Sequence, residues 1–372
     1  MVTYQVPDRV HRVAGLGWAQ ALAFRMRRHH LADLDGGAAV DVVRRLCGVQ
    51  AQVNSAAALA VAVRQADPDP DATTNALKNR DLVRTWAMRG TLHLLPVDDA
   101  AAYLTLLAGA RTWHKGSWQK TFLTLDEMAV LTDAVTDALA GGEALTREEL
   151  VAAIKDTALA AHVSSGWSTV LKPLAWQGLL CQGPSQGNRV TFVRPGAWSP
   201  RWRPAASEDD AARHVIRQYL RAHGPATMAT FDQWLIRGAT PKQRLRQWFA
   251  DLGDDVATVD VDGTTAYVLA EDLDELAATE PSTDVRLLPG FDQYVLAPGT
   301  ADTTVLDAEH RGDVSRAAGW IAPVVISAGR VAGTWSAEDG VPRTELWATV
   351  PAAKLAAETE RLARLTTRRA PA

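Results

Sequence analysis

Two glutamines separated by one residue, Gln50 and Gln52, have a spacing that could support chemistry. Residues two apart in a helix point about 200° away from each other, whereas in an extended segment they project to the same side. The pair lies between an apolar amphipathic segment, residues 40–49, and an alanine-rich segment, residues 56–65. We therefore expect an extended link, with two carboxamides side by side at the start of the second helix.

The residues around this pair allow two interpretations. Asn54 or Ser55 is a good N-cap for the alanine-rich helix, and Asn54 is also a possible substrate-site residue. Alternatively, Gln50 and Gln52 only satisfy backbone groups in a turn between two helices. Spacing alone favours this structural alternative.

Other candidate chemistry is sparse. The sequence has no glycine-rich phosphate loop and no HExxH or CxxC metal spacing. Cys47 and Cys181 are far apart and the 9 histidines are scattered, so we expect no disulfide framework, no metal site and no cofactor. Asp292, which follows Gly290-Phe291, is a possible substrate-site residue and general base, although a capping or turn aspartate is favoured.

The composition is typical of a globular protein with several folding units. A chain of 372 residues exceeds one ordinary core and indicates roughly two to four units. The apolar fraction is 47% and the charged fraction 22%. Neither a long apolar run nor a basic-then-apolar leader is present, so we expect no membrane association and a cytoplasmic, nucleoid-associated protein.

The net charge of −4 counts mildly against nucleic-acid binding, but binding requires a local basic face and not a basic total. The basic residues do cluster, at Arg25, Arg27 and Arg28, at Arg111, Lys115 and Lys120, at Lys242, Arg244 and Arg246, and at Arg361 and Arg364. A basic groove is therefore possible, and a solvated helix face is the alternative for each cluster.

Helices followed by a short hairpin occur three times in the pattern. In the first segment, residues 1–120, helical stretches precede residues 82–95, which alternate as two strands around Arg89-Gly90. In the second segment, residues 121–205, capping boxes at Thr124 and Thr146 and a start at Ser168 predict three helices before a hairpin.

The third segment, residues 206–282, repeats this order. Its third helix begins at Thr240-Pro241, an N-cap followed by proline, and a hairpin turns at Asp262-Gly263. The remainder, residues 283–372, shows four strands and a closing helix. We predict a mainly α, α+β fold with three tandem winged helix-turn-helix units and a C-terminal β region closed by a helix.

This architecture favours duplex DNA as the partner. The third helix of a winged helix enters a groove and the wing contacts phosphates, so we expect Lys242, Arg244 and Arg246 to meet the DNA backbone. Winged helices also mediate protein contacts, which leaves a non-catalytic transcriptional regulator and a protein-interaction module as alternatives.

Several segments together resemble the AlkZ-type DNA glycosylases. They are Cys47-Gly48-Val49-Gln50-Ala51-Gln52, the RTWAMRGTLH stretch at 84–93, the LLPGFD stretch at 287–292 and the GRVAGTW stretch at 329–335. The resemblance covers the chain from Gly17 to Leu365.

The resemblance implies a C-shaped arrangement of three winged helices around damaged double-stranded DNA. It implies excision of alkylated purines, notably bulky N7-alkylguanines and interstrand crosslinks. No lysine lies in the glutamine stretch, so we expect hydrolysis without a lyase step, by a monomer. Several members protect actinobacterial producers from their own genotoxic products. Gln50 and Gln52 take the catalytic positions, although a related branch has aspartate at the second one.

Three residues of the RTWAMRGTLH stretch are candidates for DNA binding. They are Arg84, Arg89 and His93. For Arg89 and His93, the functional interpretation is a phosphate contact or the orientation of a glutamine. The structural alternative is an arginine in a turn and a satisfied histidine in a sheet.

Overall fold

The computed structural model describes residues 15–164, 169–338 and 341–367. The helix start predicted at Ser168 and the basic pair Arg368-Arg369 lie outside this part of the chain. Helices and strands are mixed throughout, and the strands form three sheets. No helix of the described ranges is long and apolar enough to cross a membrane.

Helices dominate the described structure. They are α1 (Trp18–Arg28), α2 (Ala39–Arg45), α3 (Asn54–Ala62), α4 (Ala72–Lys78), α5 (Ala100–Gly109), α6 (Gly116–Thr121), α7 (Leu125–Ala138), α8 (Arg147–Ala153), α9 (Thr157–Ser164), α10 (Lys172–Trp176), α11 (Pro195–Trp198), α12 (Glu208–His223), α13 (Met228–Ile236), α14 (Lys242–Ala250), α15 (Leu273–Ala278), α16 (Gln293–Leu296), α17 (Arg311–Val314) and α18 (Ala352–Thr367). The strands are β1 (Val49–Gln50), β2 (Leu82–Trp86), β3 (Leu92–Pro96), β4 (Leu145–Thr146), β5 (Cys181–Gln182), β6 (Thr191–Val193), β7 (Val256–Val261), β8 (Thr264–Leu269), β9 (Val285–Leu288), β10 (Val324–Ser327), β11 (Arg330–Glu338) and β12 (Val341–Leu346).

The hairpins of the first and second segments join in one sheet. Its strand order is β1-β3-β2-β5-β6-β4, and β2 meets β5 where Arg84 lies opposite Gln182. Pairing of the two hairpins gives hydrogen-bond partners to backbone groups that would otherwise be unpaired at the edge of each hairpin. The boundary predicted at residue 120 therefore separates helices but divides a continuous sheet.

The third segment follows the predicted order of three helices, α12 to α14, and a hairpin. Strands β7 and β8 pair without interruption from Val256↔Leu269 to Val261↔Thr264. Thr227 caps α13, as its hydroxyl accepts from the Thr230 amide. The predicted cap at Thr240 is wrong by one residue, because Pro241 occupies the N-cap of α14.

Helix α1 packs outside the segment in which it was placed. Leu16 forms a parallel bridge with Val261, and Phe24 is buried in a cluster with Leu276 of α15. The opposite side of α1 contributes Leu22 and Met26 to the core of the C-terminal region. The start of the chain thus connects the third segment to the C-terminal sheet.

The C-terminal region confirms the four predicted strands and the closing helix. Its antiparallel order is β12-β11-β10-β9, and α18 packs against β9. Leu362 is fully buried, and the buried Glu358 carboxylate accepts from the Leu287 amide at 3.1 Å. The Trp335 indole of the inner strand β11 donates to the Leu288 carbonyl of the edge strand β9 at 2.8 Å, which links these two strands across β10.

Candidate active site

Gln50 lies on an extended strand, as the sequence predicts, whereas Gln52 lies in the bend between that strand and α3. β1 pairs with β3, with Gln50 opposite His93, and the Ala51 amide donates to the Leu92 carbonyl at 2.7 Å. Val49 and Ala51 are buried in an apolar cluster. Because strand side chains alternate, Gln50 is directed away from that cluster.

A glycine makes this link possible. α2 ends with Cys47 and Gly48 in the left-handed region, at φ 57° and 97°. A Cβ on Gly48 would lie 2.8 Å from a Leu95 methyl and 3.2 Å from the Leu94 carbonyl oxygen. The chain can therefore pass this close to β3 only with glycine at position 48.

The two glutamines differ in exposure. Gln50 is 6% exposed, whereas Gln52 is exposed. α3 begins at Asn54, and Val53 is its N-cap, so the predicted Asn54 or Ser55 cap is wrong. Asn54 is instead an exposed residue of the first helical turn. A buried amide and an accessible amide thus stand at the entrance to α3.

Arg89 fixes the orientation of the Gln50 amide. It lies in the turn between β2 and β3 at φ 58°, and it donates to Gln50 Oε1 at 3.2 Å and to the Trp234 carbonyl at 3.1 Å. A guanidinium can only donate, so the oxygen of the amide must face it. Burial, and then the charge of Arg237, lowers the pKa of Arg89 to about 10. Arg89 therefore remains protonated at neutral pH.

His93 is fully buried and does not reach solvent. Its Nδ1 donates to the Thr91 carbonyl at 3.0 Å, which leaves Nε2 as an acceptor with no hydrogen-bond partner among the described residues. Burial, and then the charge of Arg89, lowers the pKa of His93 to about 3. A buried neutral imidazole does not contact a phosphate, so that interpretation of His93 is corrected; its place opposite Gln50 suits an orienting role.

Arg84 is half-buried on β2, opposite Leu94 on one side and Gln182 on the other. Burial lowers the pKa of its guanidinium, and no acidic group contributes to that shift. Arg84 therefore remains a candidate for DNA binding from the joined sheet.

Asp292 belongs to a buried ion pair. Both Asp292 and Arg64 are buried, and the two side chains are joined by hydrogen bonds of 2.7 and 2.8 Å. Asp292 also accepts from the Tyr294 amide as the N-cap of α16. Since its oxygens are occupied in this way, the interpretation of Asp292 as a substrate-site base is corrected in favour of the capping aspartate.

The predicted basic helix α14 is only partly available. Lys242 and Arg246 are exposed. Arg244 forms ion pairs with Glu208 at 3.3 Å and with Asp209 at 2.7 Å, and its guanidinium lies over the Trp248 ring. Arg244 is therefore removed from the expected phosphate contacts, because its charge is neutralised within the protein.

The Trp234 carbonyl is a part of the site that no local sequence pattern connects to Arg89. A GxSxG pattern at residues 183–187 lies elsewhere, in the exposed loop between β5 and β6. A nucleophile elbow requires a strand-to-helix turn, so Ser185 has the wrong context. Within the described ranges, no group of histidine, cysteine and acidic residues is suited to a metal ion.

Comparison with known proteins agrees with this geometry. A family model described as "DNA glycosylase AlkZ-like" matches residues 43–365. An interstrand DNA cross-link repair glycosylase of Streptomyces sahachiroi is 49% identical over 328 residues, which cover 87% of this chain and 88% of the relative. The solved structure of Streptomyces sahachiroi DNA glycosylase AlkZ is 45% identical with a TM-score of 0.92, over 95% of this chain and 98% of the other. The chain therefore belongs to the AlkZ-like family of DNA glycosylases.

Proposed function

We propose that this protein hydrolyses the N-glycosidic bond of bulky N7-alkylguanines in duplex DNA, with Gln50 and Gln52 as its catalytic residues. The observation that carries the proposal is the oriented Gln50 amide beside the accessible Gln52, on a link that leads into α3. Family membership supports glycosidic-bond cleavage as the reaction class.

The positive charge of the lesion replaces the general acid that the site lacks. An N7-alkylated guanine is cationic, so the pair of electrons of the C1′–N9 bond can leave with the base to give a neutral product. No carboxylic acid is then needed to protonate the leaving group. This matches a site in which Asp292 is engaged by Arg64 and the glutamines are neutral.

Two carboxamides suffice for the two remaining tasks, which are to position a water molecule and to stabilise the positive charge on the sugar. A water oxygen must bond to C1′ and release its proton to solvent, and positive charge on the sugar must be stabilised while the base departs. Gln50 Oε1 gives one lone pair to Arg89 and retains another for the water. Gln52 adds a second amide dipole, and fixed dipoles of this kind stabilise developing charge without reorganising.

The three segments are proposed as three winged helices that hold the duplex. Each contains helices followed by a hairpin, and Lys242 and Arg246 are exposed on the third helix of the last one. An open site between such units would admit bulky adducts. Interstrand crosslinks are included in the proposed substrate range because the Streptomyces sahachiroi relative is named for their repair.

Single-turnover excision tests the proposal. Duplexes with one N7-alkylguanine are incubated with wild type, Gln50→Ala, Gln52→Ala and the double variant, and abasic sites are measured as alkali-labile breaks. Gln243→Ala, an exposed glutamine on α14, is the matched control. We expect the wild type to excise cationic lesions and the double variant to excise them much more slowly. Undiminished excision by that variant, or robust removal of uracil, would contradict the mechanism.

A non-catalytic regulator predicts a different result. It would bind one undamaged sequence tightly and release no base from any duplex. The same reactions therefore separate the two functions.

A further inference from the structure

Three positively charged residues from three segments lie around the hairpin turn that carries Arg89. Arg89 comes from the hairpin turn of the first segment, Lys172 is the first residue of α10 in the second, and Arg237 is the C-cap of α13 in the third. Arg89 contacts the last turn of α13 through the Trp234 carbonyl. The Lys172 Nζ lies 3.7 Å from the position that a Cβ would take on Gly90, next to Arg89.

The charges of these residues influence one another. The charge of Arg237 contributes, after burial, to lowering the pKa of both Arg89 and Lys172. Arg237 itself is exposed and Lys172 is half-buried, so the cluster opens to solvent on one side. Like charges repel, and a bound anion would offset that repulsion.

None of the three cations has an acidic partner in the described part of the chain. Arg89 donates only to neutral oxygens, and no ion pair involves Lys172 or Arg237. Arg221, by contrast, is paired with Glu271 at 2.7 Å. Because three unpaired cations lie together here, an anion from outside the chain is a suitable counter-charge.

We propose that Arg89, Lys172 and Arg237 form a binding site for a phosphodiester group of the DNA strand that carries the lesion. The inference rests on the proposed function, because it takes DNA as the ligand. Arg89 contacts both the amide and the cluster, so a phosphate held here lies beside the sugar that Gln50 addresses. Cations from three segments suit the phosphate backbone of a DNA strand, because one strand can contact all three segments in succession.

The salt dependence of binding tests the site. Affinity for an undamaged duplex is measured over a range of potassium chloride concentrations for wild type, Lys172→Gln and Arg237→Gln. Each variant should bind more weakly and reduce the slope of log K against log salt by roughly 0.9. Arg221→Gln, whose charge is already paired, should leave the slope unchanged. Lys172→Arg and Arg237→Lys should retain it, which separates loss of charge from loss of folding.

Two results would overturn the site. One is normal DNA binding with an unchanged slope in both glutamine variants, which would leave the proposed glycosylase function intact. The other is that inorganic phosphate stabilises the free wild type but not Lys172→Gln, while Lys172→Gln leaves the slope of log K against log salt unchanged. The ligand of the site would then be free phosphate and not DNA. A wild type that binds DNA in the expected way but excises no N7-alkylguanine would instead refute the proposed function alone.

Discussion

At the scale of a single residue, Arg89 links Gln50 to the rest of the molecule. It occupies a left-handed backbone position, which few residues other than glycine adopt, and from there it reaches both Gln50 and α13. Strain of this kind is tolerated where the surrounding structure requires it, and it is common at functional sites. The hairpin turn thus positions a donor that holds the Gln50 amide oxygen towards Arg89.

Arg89→Lys should reduce excision while preserving charge. A lysine ammonium cannot span Gln50 and the Trp234 carbonyl as a guanidinium does, so the amide is free to rotate. Loss of a hydrogen bond to a charged group, at 1.5–3 kcal/mol, predicts a fall of roughly 10- to 100-fold in the single-turnover rate. The affinity for DNA should change little. A variant that excises at the wild-type rate would show that the Arg89–Gln50 contact has no role in catalysis.

Buried histidines make stability depend on pH. His223 is buried between Arg25 and His29, with a His29 Nε2 to His223 Nδ1 distance of 3.0 Å, and burial and then Arg25 lower the pKa of His223 to about 3. In the unfolded chain the pKa is about 6.5. The unfolded state therefore binds the proton first, and stability is complete above about pH 6.5 and lost as the pH falls towards 3.

Urea unfolding at pH 7 and pH 5 measures this loss. Between these values a single histidine of this kind should cost about 2 kcal/mol. His223→Gln should be less stable at pH 7 but should lose about 2 kcal/mol less on acidification than wild type. Equal losses in the two proteins would show that His223 does not contribute to the acid sensitivity.

At the scale of elements, the Arg64–Asp292 pair joins the segment just after α3 to the start of α16. It is a buried, bidentate pair, and removal of one partner leaves the other charge without compensation. Asp292→Asn should therefore lower the free energy of unfolding by roughly 3–5 kcal/mol. Excision per folded molecule, measured below the melting temperature, should be retained. Loss of excision in a variant of unchanged stability would restore Asp292 as a candidate base.

Local signals in the sequence predicted the elements well. The capping boxes form, as Thr124 and Thr146 each accept from the amide three residues on while Glu127 and Glu149 reach back. The β2–β3 hairpin turns at Arg89-Gly90 as expected, because the information lies within about ten residues.

Contacts between elements were not predictable in this way. Arg89 and Trp234 are 145 residues apart, and nothing local to either residue specifies the other. The ion pairs of Arg244 and Asp292 are long-range in the same sense, at separations of 36 and 228 residues. Residue type alone therefore predicts a phosphate contact for Arg244 and a possible base in Asp292, and the ion pairs of both residues contradict these roles.

At the scale of the whole molecule, the segments share their cores. Trp86 of the first segment stacks with Phe192 of the second at 6.2 Å, and Tyr103 of the first meets Trp234 of the third edge-on at 6.3 Å. One apolar cluster contains all four residues. The site depends on this, because Gln50 and its orienting Arg89 are held against a helix of a different segment.

The shared core predicts cooperative unfolding of the protein. Proteins with several independent domains unfold in resolved steps, whereas elements that bury one another's apolar faces unfold together. Calorimetry should show one main transition whose van't Hoff and calorimetric enthalpies agree. Trp86→Ala, Phe192→Ala and Trp234→Ala should lower that same transition, each by roughly 3–5 kcal/mol, since each empties a place in the common cluster. If each substitution moved only a separate step, the three segments would be independent units, and the geometry at Gln50 could not depend on their packing.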